Sequence, residues 1–225
     1  MSQPNRMLLW MLGFLGLIAF ACAALLTPLL EAFNATPVFN GVILAVFLAG
    51  VLANVRQVSR LQHEVNWITH FRRSNPERAH APPVLLAPMA QMLARSERRP
   101  LTLSTASMRS ILDSVHLRLE EQRDLSRYLV GLLIFLGLLG TFWGLATTVP
   151  AVVDTIRALA PQEGESGIQV FDKLMTGLER QLGGMGTAFS SSLLGLAGSL
   201  VVGLLELFAG HGQNRFYREL EEWLT

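Results

Sequence analysis

The sequence predicts an all-α integral membrane protein: four transmembrane helices, helical extensions on the cytoplasmic side, and a ring-forming oligomer. Three observations lead there. Four stretches, residues 7–30, 32–55, 129–153 and 182–205, contain no Asp, Glu, Lys, Arg or His. Each exceeds the roughly 20 helical residues needed to cross a hydrocarbon core of about 30 Å. Apolar residues make up 51% of the 225-residue chain, and charged residues only 16%. Finally, the charge is distributed unevenly. Residues 56–127 hold twelve arginines and seven acids, and residues 31–37 hold no basic residue. Residues 154–183 hold three basic residues against five acids. An arginine-rich loop stays in the cytoplasm under the positive-inside rule, which places both termini there and both short links outside.

Four segments follow in order: an N-terminal two-span hairpin over 1–55, a cytoplasmic arginine-rich helical segment over 56–127, a two-span core with its outer link over 128–210, and a C-terminal amphipathic helix over 211–225. The first run, bounded by Arg6 and Glu31, is about twice the 7–15 residues of a signal-peptide core, so it reads as a retained span. Cys22 is the single cysteine, which excludes an internal disulfide and makes a packed thiol the default. Asn34-Ala35-Thr36-Pro37 closes the hairpin with turn-forming residues. The second span is expected to continue as a helix through Arg60 and His63 toward Trp67. Five prolines between Ser74 and Pro100 break the chain there into short pieces.

From Ser104 the helical period returns. Met108, Ile111, Leu112, Val115 and Leu119 recur every three or four residues with charges between them. This helix is expected to run unbroken into the third span. Its stripe then needs a partner, either the extension of the second span or a neighbouring subunit. In the outer link, Phe171, Leu174, Met175, Leu178 and Leu182 mark one apolar face, which fits a helix lying flat at the interface. Phe216, Leu220 and Trp223 share a face near the C-terminus.

The polar content of the last two spans carries the functional argument. In the third, Thr141 and Thr148 lie two turns apart on one face. Either each hydroxyl bonds back to its own helix, or together they line a water- or ion-accessible seam. In the fourth, Thr187, Ser191, Gly195, Ser199 and Gly203 form a ladder at every fourth position, with Ala188, Ser192 and Gly198 beside it. Small residues let helices approach closely in lipid, where no hydrophobic force draws them together. Small residues on more than one face point to tight neighbours on several sides, as in an oligomer ring. Glu206 is the only candidate for an ionisable residue inside a span, near the cytoplasmic end of the fourth. It reads either as a side chain snorkelling to the interface or as a functional acid. Asn40 and Asn54 read as packing or interface residues. No metal-ligand spacing, phosphate loop or nucleophile–base pair occurs, so no cofactor and no enzymatic activity are expected. The arginines lack interleaved aromatics, which disfavours nucleic acid and favours a belt facing solvent and membrane-lipid headgroups.

Two motifs carry a family resemblance: Gly137-Leu-Leu-Gly-Thr-Phe-Trp-Gly144, and Ala188-Phe-Ser-Ser-Ser-Leu-Leu-Gly-Leu-Ala-Gly-Ser199. They resemble the MotA/TolQ/ExbB proton-channel family over roughly residues 132–209. The layout is nearer the four-span MotA-like members than the three-span ExbB-like ones. The resemblance implies a bacterial inner-membrane homopentamer around two single-span partner helices of the MotB/TolR/ExbD kind. Each partner would bear a membrane Asp and a periplasmic domain, with proton or sodium flow turning the ring. Thr141 matches the threonine of the first motif and Ser192 the hydroxyl position of the second. With Thr148, Thr187 and Ser191 they would line the ion path, while Gly137, Gly140, Gly144, Gly195, Gly198, Ser199 and Gly203 would pack helices. Thr187 stands where some members keep a glutamate, and the prolines of flagellar stators have no clear match. These departures weigh against a specifically flagellar role. The titrating carboxylate is expected on another chain. The alternative is a non-conducting oligomeric membrane scaffold.

Overall fold

The computed structural model describes residues 5–73, 105–158 and 167–224. All are helical except for two breaks, at Leu25 and Thr36. Five helices follow one another: α1 (Asn5–Ala24), α2 (Leu26–Ala35), α3 (Pro37–Arg73), α4 (Thr105–Ala158) and α5 (Gly167–Leu224). Four of them, α1, α3, α4 and α5, are long and apolar enough to cross a membrane. The fold is therefore all-α with a multi-span membrane topology. The proline-broken stretch expected over 74–100 lies outside the described residues, as do residues 159–166 of the outer link.

The first apolar run is not one helix. It breaks at Leu25, whose backbone (φ −104°, ψ 25°) leaves the α region before α2 resumes. Pro28 supplies the cause: lacking an N–H, it cannot bond the carbonyl of Ala24, and its ring crowds that carbonyl. Within the expected turn, Asn34 and Ala35 stay helical and only Thr36 bends, with φ −142° and ψ 74°. Pro37 then opens α3, a position where its missing N–H costs nothing.

At 37, 54 and 58 residues, α3, α4 and α5 are far longer than a bilayer requires. At 1.5 Å per residue, α5 extends about 87 Å. One expectation is overturned here. The amphipathic piece around Phe171–Leu182 does not form a separate helix lying flat but is the first part of the same rod as the fourth span. The apolar face at Phe216 and Leu220 lies on that rod as well. Cys22 is exposed on α1 rather than packed, because the described part of α1 buries little besides Met11.

The chain forms two compact units, Met1–Ala19 with Ala49–Tyr128 and Val202–Thr225, and Phe20–Leu48 with Leu129–Val201. In the first, the stripe on α4 finds its partners inside the chain. Ile111, Val115 and Leu119 pack with Leu61 and Val65 of α3 and with Phe216 and Leu220 of α5, and Leu112 sits at the edge. Each such side chain contributes about 1.5–3 kcal/mol by leaving water. Gly50 lies against Val202, and Gly212 lies against Leu61 and Met7, so α3 and α5 run parallel here.

In the second unit, α4 and α5 run antiparallel with almost no side chain between them. A Cβ at Gly195 would stand 2.7 Å from both Gly137 Cα and the Leu133 carbonyl. One at Gly140 would stand 2.5 Å from Ser191 Cβ, and one at Gly144 would run into Ala188. Positions 137, 140 and 144 thus meet 195, 191 and 188 in order, backbone on backbone, which is how membrane helices gain packing energy.

Candidate functional site

The α4–α5 contact fixes where the expected ion-path residues stand. Thr141 is half-buried and its Oγ1 donates to the Leu138 carbonyl at 2.6 Å. Thr148 is 9% exposed and donates to the Leu145 carbonyl at 2.8 Å. Thr147 bonds to Gly144 in the same way. All three hydroxyls therefore spend their proton on their own helix, and each offers only lone pairs outward. Ser199, 7% exposed, likewise bonds back to Leu196.

Ser191 behaves differently. It is fully buried, and its Oγ lies 2.8 Å from the Thr36 hydroxyl, where either atom can donate. Gly140 closes the other side of it. Its neighbour Ser190 donates to the Ala32 carbonyl at 3.3 Å. The same carbonyl accepts from Asn40 Nδ2 at 2.8 Å, and Asn40 Nδ2 also reaches the Phe33 carbonyl at 3.3 Å. The α2 C-terminus and the bend at Thr36 are thereby stitched to α5 in the middle of its hydroxyl run. Ser192 and Gly203 are half-buried, while Gly198 is buried against Phe47 and Leu133. The side chain of Thr187 lies outside the described residues.

Glu206 forms an ion pair. Its Oε1 is 3.2 Å from Arg127 Nε, and Arg127 lies 3.8 Å from Asp124 as well. The Glu206 side chain is 16% exposed against 59% for Arg127, so the pair spans a boundary between core and surface. Asn54 is fully buried and donates to the Gly50 carbonyl within α3.

From the sequence alone Thr36 reads as a turn residue and Asn40 as a packing or interface residue. Both belong to the polar network. The signal is their spacing: Thr36 immediately precedes the helix that Pro37 begins, and Asn40 lies one turn in, its N–H bonded to the Thr36 carbonyl. No group of three or more His, Cys, Asp or Glu able to hold a metal occurs among the described residues.

These features define a class, an all-α multi-span membrane protein with a close-packed, hydroxyl-bearing pair of spans. No protein-family model, curated protein or solved structure matches the chain.

Proposed function

We propose that this chain is the ion-path subunit of a membrane motor driven by proton or sodium flow, assembled as a homopentamer around single-span partners that carry the titrating Asp. In this reading the chain sits in a bacterial inner membrane with both termini in the cytoplasm. The observation that carries it is a combination found in α4 and α5. Residues 128–153 and 181–205 hold no ionisable group except Tyr128 at the boundary, yet they present Thr141, Thr147, Thr148, Ser190, Ser191 and Ser192. With the threonine protons bonded within α4, such a surface offers acceptor oxygens to a protonated carboxyl or a passing cation and cannot itself carry a proton. Centring a charged side chain in a bilayer costs about 2.5–3.5 kcal/mol on insertion scales, a cost that a partner carboxyl avoids by crossing protonated and donating to these oxygens. The GLLGTFWG motif supports the same reading.

Large apolar side chains remain exposed on several faces of both helices, among them Phe135, Phe142, Leu193 and Leu200. That is what a subunit with lipid on one side and neighbours on others requires. The test is ion flux in vesicles holding the chain with a single-span, Asp-bearing partner, alongside native mass spectrometry for five copies. Flux that falls several-fold in a Thr141→Ala/Ser192→Ala variant supports the path. Unchanged flux in that variant counts against it.

A non-conducting scaffold is favoured by one observation, the back-bonded hydroxyls of Thr141 and Thr148. It predicts oligomers without flux.

A further inference from the structure

We propose that copies of this chain dock on one another beyond the membrane, through the projecting ends of α4 and α5. The apolar seam of α5 on one copy meets that of α4 on the next, and Arg157 of one copy lies between Asp172 and Glu179 of the other. This names the face by which copies meet. It rests on the function proposed above for the number of copies, though not for the contact.

The uncharged run of the third span ends at Val153 and that of the fourth begins at Leu182, yet α4 continues to Ala158 and α5 starts at Gly167. Residues 167–181 therefore carry α5 about 22 Å past its span. This length continues the rod of the span, so it stands in water and lipid does not cover it. On it Ile168, Phe171, Met175, Leu178 and Leu182 are all exposed. They recur at three and four residues in strict alternation. That is the seam of a helix made to pack against another helix. On α4, Val149, Val153 and Ile156 are exposed with the same kind of spacing. Within one copy α4 and α5 touch here through Thr155 and Gly177, which lie round each helix from its seam. Both seams are left open.

Charge identifies the cover. Asp172 and Glu179 each follow a seam residue of α5, and at seven residues apart they share one edge of it. Arg157 follows Ile156 at the edge of the α4 seam, with Asp154 further round the helix. Arg157, Asp172 and Glu179 are all exposed. The Thr155–Gly177 contact sets their levels. Because α4 and α5 are antiparallel, Arg157, two residues beyond Thr155, stands level with Met175. Asp172 and Glu179 then lie about one turn to either side of that level.

Rotation about the membrane normal moves no residue up or down. In a ring of copies, Arg157 of one therefore meets both acids of the next at matching depth, beside two seams that face each other. The chain supplies both halves of this contact, apolar seam against apolar seam and base against acid. The halves are different surfaces, so the contact is head-to-tail, the kind that closes into a ring. Charges at the edges of a helical seam also fix which helix it accepts.

The test is disulfide trapping of the full chain in liposomes, with Cys22→Ser removing the native thiol. Ile156→Cys and Met175→Cys, placed together and oxidised, are expected to give a ladder of linked copies. Either cysteine alone is expected to give none, because a head-to-tail contact never brings a residue against itself. A ladder no stronger from the pair than from one cysteine overturns the contact. Arg157→Glu, folded by circular dichroism, is expected to lower the oligomer fraction in native mass spectrometry about tenfold, since like charges then oppose at every interface. Adding Asp172→Arg and Glu179→Arg to it is expected to restore the oligomer. An unchanged fraction in Arg157→Glu, or no recovery in the triple variant, overturns the proposal. Trapping against a single-span chain in place of a second copy overturns it as well. Oligomers that obey the charge swap but carry no flux in the partnered vesicles remove the motor and leave the interface. Flux from a ring indifferent to the swap does the reverse.

Discussion

Thr36 and Ser191 lie 155 positions apart, and their hydroxyl oxygens are 2.8 Å from each other. The bend that separates α2 from α3 is thus fastened to the one fully buried serine of the α5 hydroxyl run. Thr36→Val leaves that buried hydroxyl short of a partner, which costs about 1–3 kcal/mol. Ser191→Ala removes the other side. The double variant is expected to lose less than the sum of the single losses, and a thermal-unfolding mutant cycle reads the difference. Strict additivity would mean the pair contributes nothing.

Glycines in the α4–α5 contact are expected to differ sharply from those outside it. An added methyl at Gly195 meets the Gly137 backbone, so the helices must part, at a cost of about 1–3 kcal/mol. At Gly183 and Gly186 a Cβ meets nothing within 4 Å. Alanine there is expected to stabilise by about 0.5–1 kcal/mol through helix propensity. Chemical unfolding in mild detergent compares the three, and equal effects would contradict the packing.

Leu220→Ala empties a fully buried position among Leu61, Val115 and Phe216, and is expected to cost about 2–5 kcal/mol. Leu200→Ala, at a position 66% exposed, is expected to leave stability within about 0.5 kcal/mol. Melting temperatures of the two variants in the same lipid settle the comparison.

Glu206→Gln breaks the pair with Arg127 but keeps the shape. Arg127 is 59% exposed, so solvent already screens much of the attraction, and the loss is expected not to exceed about 1 kcal/mol. Salt should narrow the gap between wild type and variant, and unfolding at low and high ionic strength measures it. A larger loss that salt does not touch would place the pair in a drier setting.

Thr141→Val separates structure from transport. The Thr141 hydroxyl bonds only its own helix, to a carbonyl of the α-helical backbone ladder, so stability is expected to change by less than about 0.5 kcal/mol. A several-fold fall in vesicle flux without loss of stability then reports on the ion path alone.

Much of the fold was legible because its signals are local. The Met108–Leu119 stripe marks a helix, and α4 runs through it as one rod. The segment around Phe171 to Leu182 was misread because an amphipathic period is the same for a surface helix and for the end of a longer one. The break at Leu25 is encoded in Pro28, three positions on, but hydropathy over residues 7–30 is uniform and does not register it. The GLLGTFWG glycines were legible as close-approach residues, but not which residues they approach.

The sequence by itself determined the four spans, the lack of charge in the last two and the small-residue spacing that brings helices together. Hydropathy and helical period depend only on neighbours along the chain. Only the tertiary structure decided that Gly137, Gly140 and Gly144 face Gly195, Ser191 and Ala188, that the α4 stripe is covered by α3 and α5, and that Thr36 and Asn40 join the hydroxyls of α5. Those pairings are set by the register between helices, and register is fixed by how surfaces fit once the chain has packed. No local window of residues contains it.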